Sequence, residues 1–270
     1  MDLSQRPARP QASGVSGAYA VPRPVEELAS RALAHDAVRH PFLEALGSGA
    51  FGARTHDVAR TFALWYDGYS RWFPRYLNAV IERLESPRHR ELLSENLAEE
   101  QGRLDPDERD TLIELGIDPA TVDGVPHPQL FARFCRAVGL TDAERSAPPE
   151  ATIEWRSAFH GMLRAGSQAY AVGALGLGTE TIVSTIYPRI LQGFRRVPNL
   201  TREDLVFFEL HCHVDDQHQV DLLEIAADLA AAPGGLAELE RGMYDALDLR
   251  VNFWDQLHAN ALERPVVHHD

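Results

Sequence analysis

The segment from Thr201 to Ala227 constrains the fold of this chain most strongly, because it has the apolar period of a long amphipathic helix and carries charged groups within its apolar stripe. His211, Asp215 and His218 form an H-x3-D-x2-H pattern. At about 100° per residue, these spacings put all three side chains on one helical face. The apolar residues predicted to share that face are Phe207, Phe208, Val214, Leu222, Ile225, Ala226 and Leu229.

Two imidazoles and a carboxylate in an apolar stripe need partners, because burying such groups unpaired costs several kcal/mol. A metal ion is the most economical partner, since neutral imidazole and carboxylate are ligands that suit iron, zinc and manganese. The alternative is a buried polar cluster in which these groups hydrogen-bond to one another. The residues of this helix that are predicted to face solvent are Glu209, His213, Asp216 and Glu224.

Composition and charge exclude several classes of function. The 270-residue chain has a net charge of −14, which argues against a nucleic-acid partner, because phosphates need a basic surface. No stretch approaches the roughly 18 apolar residues of a membrane span, and the N-terminus lacks an apolar core of signal-peptide length. Cys135 and Cys212 have no C-x-x-C spacing, so both are predicted to be small core residues. We therefore expect a cytoplasmic enzyme that contacts neither nucleic acid nor membrane.

The pattern along the chain predicts a disordered arm followed by one helical domain. Residues 1–22 are rich in Pro, Gly, Ser, Ala and Gln and have few large apolar residues, as in disordered segments. Residues 23–270 contain no alternating β-branched run, so we predict a single all-α domain of about seven to nine helices. The predicted helices span 24–35, 54–85, 88–101, 107–115, 128–138, 149–165, 166–196, 201–231 and 235–260.

Glu180 is the clearest candidate ligand outside the H-x3-D-x2-H pattern, because it lies on the apolar face of the predicted helix 166–196. Gly173 and Gly176 share its face and cost about 1 kcal/mol each in a helix, so they must leave room for a ligand or for a close helix. The alternative for Glu180 is an ion pair with Arg189 or Arg195.

A second pair of candidates comes from two shorter segments. Glu100 shares a helical face with Leu93 and Leu97, whereas Glu99 lies at the edge of that face. His127 begins a helix whose apolar side chains lie in line with it. The alternatives are solvated acids and a surface or capping histidine. From these segments alone, the sequence does not decide whether Glu100 and His127 bind a metal or have these other roles.

These pieces together resemble the heme-oxygenase-like diiron oxidases and oxygenases. The resemblance rests on four segments in the same order as in that family. They are Asn-Leu-Ala-Glu-Glu-Gln-Gly at 96–102, His-Pro-Gln-Leu-Phe from 127 to Gly-Leu at 139–140, Gly-Thr-Glu at 178–180, and the H-x3-D-x2-H pattern. The resemblance covers roughly residues 40 to 230 and implies a heme-oxygenase-like helical bundle.

Carried over residue by residue, the resemblance implies a site for two Fe(II) ions, with manganese as an alternative, and O2 as co-substrate. Glu100 and His127 lie 27 positions apart here, instead of one or two helical turns apart, so an insertion must loop out between them. Some members use an extra carboxylate, for which Asp67 is a poor match because the expected position is nearer Tyr66. The six implied iron ligands are Glu100, His127, Glu180, His211, Asp215 and His218.

The resemblance implies a small-molecule substrate, an external electron donor and pairing into a homodimer. Our first hypothesis is N-oxygenation of an amine to a hydroxylamine or nitro group in specialised metabolism. The second is decarboxylation or C–C cleavage of an amino or fatty acid to an alkene, and the third is a metal-free relative that binds a small ligand. Tyr187 is the predicted catalytic residue lining the pocket, whereas Phe131 and Phe208 are predicted to be core.

Overall fold

The computed structural model of the protein describes residues 21–104, 106–213 and 216–263. All regular secondary structure within these ranges is helical, so the predicted all-α class is confirmed. Residues 1–20 of the predicted arm and the predicted ligand Asp215 lie outside the described residues. No helix in the described ranges is both long enough and apolar enough to cross a membrane.

The described part of the chain contains more helices than the seven to nine predicted. Two short ones, Pro41–Ser48 and Asp142–Ser146, were missed because neither is long enough to show a clear period. The α-helices are α1 (Arg23–Ala34), α2 (Pro41–Ser48), α3 (Thr55–Ser70), α4 (Phe73–Ile81), α5 (Pro87–Glu100), α6 (Pro106–Glu114), α7 (His127–Ala137), α8 (Asp142–Ser146), α9 (Glu150–Ala165), α10 (Gln168–Val172), α11 (Thr181–Phe194), α12 (Val206–His213), α13 (Asp216–Ala230) and α14 (Gly235–Glu263).

Two predicted long helices have other boundaries than expected. The helix expected over 54–85 breaks between α3 and α4, where Pro74 occupies the first turn of the new helix, a position that needs no backbone N–H. The helix expected from 201 begins at Val206 instead. Thr201 and Asp204 exchange side-chain and backbone hydrogen bonds in a turn, with the Thr201 N–H donating to Asp204 Oδ2 at 2.8 Å. Such local bonds compete with the helix.

A π-helical segment, Gly173–Glu180, joins α10 to α11 and packs along the long helix α14. Helix α11 packs against α2 and α12, and α3 packs against α7 and α9. The rings of three residues stack nearly parallel at the centre of the bundle: Phe62, Tyr66 and Trp254. The planes of the Tyr66 and Trp254 rings differ by only 3°. Cys135 is buried, as predicted for a core residue. The apolar core therefore surrounds α3 and α11, the helices that also carry Tyr66 and Tyr187.

The prediction that Glu209 faces solvent is wrong. Its side chain is 1% exposed, and its Oε1 accepts a hydrogen bond from Arg195 at 2.6 Å. Arg202 lies 3.6 Å from the same oxygen. The segment after α11 folds over this face of α12 and brings both arginines with it, which helical periodicity could not reveal. Glu224, on α13, is likewise mostly covered and paired with Arg88.

Candidate metal centre

Helices α5 and α7 bring Glu100 and His127 together across the predicted insertion. Glu100 is the last residue of α5, and His127 is the first residue of α7. The Gly124 N–H donates to the Gly102 carbonyl at 2.8 Å, which closes the excursion between them. Gly102 has φ +96°, and a Cβ there would lie 2.7 Å from Val125 backbone atoms. A glycine is required at this closure, because any side chain would be both strained and obstructed.

The resulting cluster contains one carboxylate and two imidazoles. Glu100 Oε1 lies 3.1 Å from His127 Nδ1 and 3.9 Å from His211 Nε2. One ligand atom from each of the three residues lies within 4.8 Å of the others, a spacing that could hold a metal ion. Glu100 is 3% exposed. Burial by itself would raise the pKa of its carboxyl, but His127 and then His211 hold that pKa below its ordinary value.

The hydrogen bond of His211 to its own helix determines which ring nitrogen faces Glu100. Nδ1 lies 2.6 Å from the carbonyl oxygen of Phe207, and because a carbonyl only accepts, Nδ1 must donate. In the neutral ring, Nε2 then carries a lone pair directed toward the Glu100 carboxylate. Two electron-rich atoms facing each other need a cation between them. Two histidines and one carboxylate form a donor set typical of non-heme Fe(II) oxygenases, so these residues fit iron.

Glu99 and Glu100, which the sequence could not separate, have different partners. Glu99 Oε2 lies 2.7 Å from His218 Nε2, and Glu99 Oε1 accepts a hydrogen bond from Arg103 at 3.1 Å. Burial would raise the pKa of Glu99, but His218 and then Arg103 lower it. A carboxylate bound to one ring nitrogen is the usual device for orienting a coordinating histidine. Glu100 therefore belongs to the cluster, and Glu99 orients His218.

Glu180 ends the π-helical segment and lines the same cavity as Glu100. The glycines of this segment make room for a close helix. A Cβ on Gly173 would lie 2.1 Å from the Leu239 carbonyl oxygen, and one on Gly178 would lie 2.8 Å from the Met243 carbonyl oxygen. Extra residues in a π turn commonly mark functional positions within helices. Close contact with α14 therefore determines where Glu180 lies.

The two arginines considered as partners of Glu180 bind elsewhere. Arg189 donates to the Val38 carbonyl at 2.6 Å, and Arg195 pairs with Glu209. The ion-pair alternative for Glu180 thereby loses both of its predicted partners.

Asp67 does not line the cavity as an extra carboxylate. It is 1% exposed, and its Oδ1 and Oδ2 pair with Arg145 at 2.9 Å and Arg71 at 3.2 Å. The cavity-facing position on α3 is occupied by Tyr66, whose hydroxyl lies 2.8 Å from the Tyr187 hydroxyl. The Tyr187 ring in turn packs against a predicted ligand, because its centroid is 5.2 Å from that of His211. A tyrosine pair therefore stands where the resemblance places the extra acid.

The cavity between these helices encloses about 420 Å³ of empty space. Phe131 and Phe208 are fully buried behind its wall, as predicted. The residues that line the cavity are Tyr66, Tyr69, Ser70, Phe73, Glu100, His127, Thr179, Glu180, Val183, Tyr187, Phe207, His211 and Arg250.

Sequence reasoning missed Arg250, although the signal was present. Arg250 lies on α14 at helical spacing from Met243, Leu247 and Trp254, all of which are buried. A charged residue on an apolar stripe is the feature that singled out His211. Applying the same test to the last helix would have found it.

Comparison with known proteins identifies the family. Residues 60–251 match the sequence profile of a family described as iron-containing redox enzymes. The chain belongs to this family. The match spans most of the domain and includes every predicted ligand position, in agreement with the family inferred from the motifs. An oxidoreductase is therefore the general class of this protein.

Individual relatives share the fold at low identity. The chain is similar to 4-chloro-allylglycine synthase from Streptantibioticus cattleyicolor, with 25% identity over 86% of this chain and 81% of that protein. Its structure resembles a TenA homologue from Pseudomonas syringae pv. tomato, with a TM-score of 0.66, 15% identity and coverage of 92% and 98% of the two chains. A domain of unknown function from Shewanella denitrificans with a heme oxygenase-like fold gives a TM-score of 0.64 at 14% identity, covering 88% and 90%. The structural likeness establishes the fold.

Proposed function

We propose that this protein is an O2-dependent non-heme diiron oxidase that acts on a small amino acid. The observation that carries the proposal is the buried cluster of Glu100, His127 and His211, in which a carboxylate and two imidazoles converge within reach of one cation. Membership in a family of iron-containing redox enzymes supports iron as that cation.

The same cavity offers ligands for a second iron. Glu180 lines it, and His218, held by Glu99, lies near enough to Glu100 to lower the pKa of that carboxyl. Asp215, which the resemblance adds to the set, lies outside the described residues. Iron(II) bound by these side chains would supply the electrons that activate O2. The protein residues hold the metals, and Phe207 orients His211 through its carbonyl.

The size and walls of the cavity favour a small substrate. Its 420 Å³ includes space open to solvent, and only about 30 Å³ admits the centre of a water-sized sphere, which leaves no room for a long acyl chain. Aromatic side chains form much of the wall and exclude water from the metal ligands. The amino-acid part of the proposal is supported by the similarity to 4-chloro-allylglycine synthase, whose name describes an unsaturated amino acid.

Among the two oxidations expected from the sequence, C–C cleavage or decarboxylation to an alkene is the better supported. In the family that the motifs resemble, N-oxygenation goes with the extra carboxylate on the preceding core helix. Asp67 is held by Arg145 and Arg71, and Tyr66 lines the cavity instead. The relative named for an allyl amino acid favours the same choice.

Tyr187 is placed to hold a proton next to the metal ligands. Burial and then the neighbouring Tyr66 raise its pKa well above the ordinary value, so its hydroxyl stays protonated at neutral pH. The hydroxyl can donate either to Tyr66 or into the cavity. We assign Tyr187 the role of a proton donor or hydrogen-bond donor to the bound substrate.

The test is anaerobic loading with Fe(II), a metal count per chain, and then mixing with O2 and a panel of amino acids. We expect about two irons per chain, faster O2 consumption with one amino acid, and an alkene product by mass spectrometry. A hydroxylamine or nitro product would replace C–C cleavage with N-oxygenation. Failure to take up iron would overturn the proposal and favour a metal-free ligand-binding relative. His89→Gln, which changes a buried histidine bound to Asp228 outside the cavity, is the matched control.

A further inference from the structure

Arg250 is a buried cation with unused hydrogen-bonding capacity at the wall of the candidate cavity. Arg250 is 3% exposed. Nη2 donates to the Tyr69 hydroxyl at 3.1 Å, whereas Nε and Nη1 are buried without a hydrogen-bond partner. Within the described residues Arg250 forms no ion pair with a carboxylate, although Asp67, Glu100 and Glu180 all lie in the same part of the bundle.

The groups around Arg250 are aromatic and uncharged. The guanidinium carbon lies 5.4 Å from the ring centroids of both Tyr69 and Trp155 and 6.0 Å from that of Trp254. Burial raises the pKa of Tyr69, so its hydroxyl is not an anion at neutral pH. Cation–π contacts and the nearby Tyr66 hydroxyl stabilise part of the charge, but they supply no anion, and Nε and Nη1 stay without a geometric hydrogen bond.

A buried guanidinium normally has an anionic partner, because removing an ion from water is costly unless it is paired. No carboxylate of the described residues forms an ion pair with Arg250, although Glu100 and Glu180 line the same cavity. An anionic partner of Arg250 would therefore come from outside the described residues. The cavity, which Arg250 lines together with the metal ligands, is the route by which it would arrive.

We propose that Arg250 binds the carboxylate of the substrate and so defines the substrate class as a small carboxylic acid. A guanidinium binds a carboxylate through charge-assisted hydrogen bonds, and Nε and Nη1, which lie on different edges of the group, each have an N–H free to give one. The hydroxyl of Ser70, also buried in the cavity wall without a hydrogen-bond partner, supplies a further polar contact. The remainder of the molecule then extends toward Glu100 and His211. Its identification as a substrate rests on the proposed function; the binding of a carboxylate does not.

The experiment measures binding without turnover. Calorimetry under nitrogen, on the protein with and without added Fe(II), compares the common L-amino acids with their carboxamides and with the amines that lack the carboxyl group. We expect at least one amino acid to bind, and its carboxamide and amine to bind about 10- to 100-fold more weakly, as for a hydrogen bond to a charged group. Quenching of tryptophan fluorescence gives a second readout, since Trp155 and Trp254 adjoin Arg250.

Variants connect that binding to the guanidinium. Arg250→Met should weaken binding of the preferred amino acid by the same factor. Arg250→Lys keeps the charge but lacks the planar set of N–H donors, so its affinity should lie between those of Arg250→Met and the unchanged protein. Arg189→Met is the control, because it removes a partly buried arginine that donates to the Val38 carbonyl. Arg250→Lys serves for the test if Arg250→Met does not fold.

Three results would overturn the proposal: no amino acid of the panel binds, the carboxamide binds as tightly as the acid, or Arg250→Lys binds as tightly as the unchanged protein. Carboxylate binding that depends on Arg250 in a protein that takes up no iron would leave this subsite standing and remove the proposed oxidase function. The two proposals therefore fail separately.

Discussion

Glu100 Oε1 and His127 Nδ1 lie 3.1 Å apart, although 27 positions separate the two residues in the chain. The contact joins the last residue of one helix to the first residue of another. The intervening segment forms its own helix, α6, and returns through the hydrogen bond between Gly124 and Gly102. The two residues can therefore lie far apart in the chain without loss of the cluster, because a backbone hydrogen bond brings the two ends of the intervening segment together.

The cluster predicts which substitutions remove a metal. Glu100→Ala, His127→Ala and His211→Ala should each lower the iron bound per chain by about one ion, because each removes one of the three donors that converge among the described residues. Circular dichroism should stay native. The metal content is measured after gel filtration. His89→Gln should keep full iron content, and equal iron in His211→Ala would contradict the assignment of the cluster.

Glu99 and Glu100 should give different results in metal titrations. Glu99→Gln should weaken metal affinity by about 10- to 100-fold without abolishing it, since Glu99 acts by orienting His218. Titration with Fe(II) under nitrogen measures this. Glu95→Gln removes the other carboxylate that pairs with Arg103 and should have little effect. Complete loss of metal in the Glu99 variant alone, with Glu100→Gln unchanged, would reverse the two assignments.

Gly173 in the π-helical segment and Gly161 in α9 predict opposite effects of the same substitution. Gly173→Ala should destabilise the protein by about 3 kcal/mol, because its Cβ would overlap the Leu239 carbonyl oxygen at 2.1 Å. Gly161→Ala should stabilise it by about 1 kcal/mol, since Gly161 lies in α9 with open space around it. Urea denaturation followed by circular dichroism provides both values. If Gly173→Ala were neutral, the close approach of α14 would not hold the segment in place.

The tyrosine pair predicts a defect in turnover that is separate from metal binding. Tyr187→Phe should retain iron and reduce O2-dependent turnover by about 100-fold, the usual scale for losing a positioned proton donor. Tyr66→Phe, which removes the second hydroxyl of the pair, should have a smaller effect because Tyr187 is the ring in contact with His211. Iron content and single-turnover rates separate the two effects. Equal rates in Tyr187→Phe and the unchanged protein would exclude Tyr187 from the proton path.

Alkaline pH should unfold the protein when its buried tyrosines ionise. Burial raises the pKa of Tyr69, Tyr76 and Tyr187 above the ordinary value. A raised pKa means that the folded state retains its protons longer, so this contribution to stability is complete below about pH 10 and falls as pH rises further. Ultraviolet titration and circular dichroism should show these tyrosines ionising together with unfolding. Ionisation of all seven tyrosines near pH 10 in a protein that remains folded would contradict this.

The sequence alone determined the helical class and the order of most helices, because the spacing of apolar residues along a helix is a local property. It also singled out Glu180 and His211, since a charged group within an apolar stripe is visible without knowing what packs against it. The same reasoning failed for Glu209. It lies on the helical face predicted to be exposed, but arginines that follow α11 cover that face and bury its side chain. The predicted bounds failed at 54–85, where Pro74 lies in the first turn of a new helix, and at residue 201, where a hydrogen-bonded turn precedes a helix that begins at Val206.

Only the tertiary structure decided the questions that depend on contacts between distant segments. It placed Glu100 in the cluster and Glu99 on His218, paired Asp67 with arginines, and gave the glycines before Glu180 a close helix instead of a ligand. It also placed Arg250 at the cavity. Each of these outcomes depends on where two elements far apart in the chain meet, and helical period carries no information about that distance.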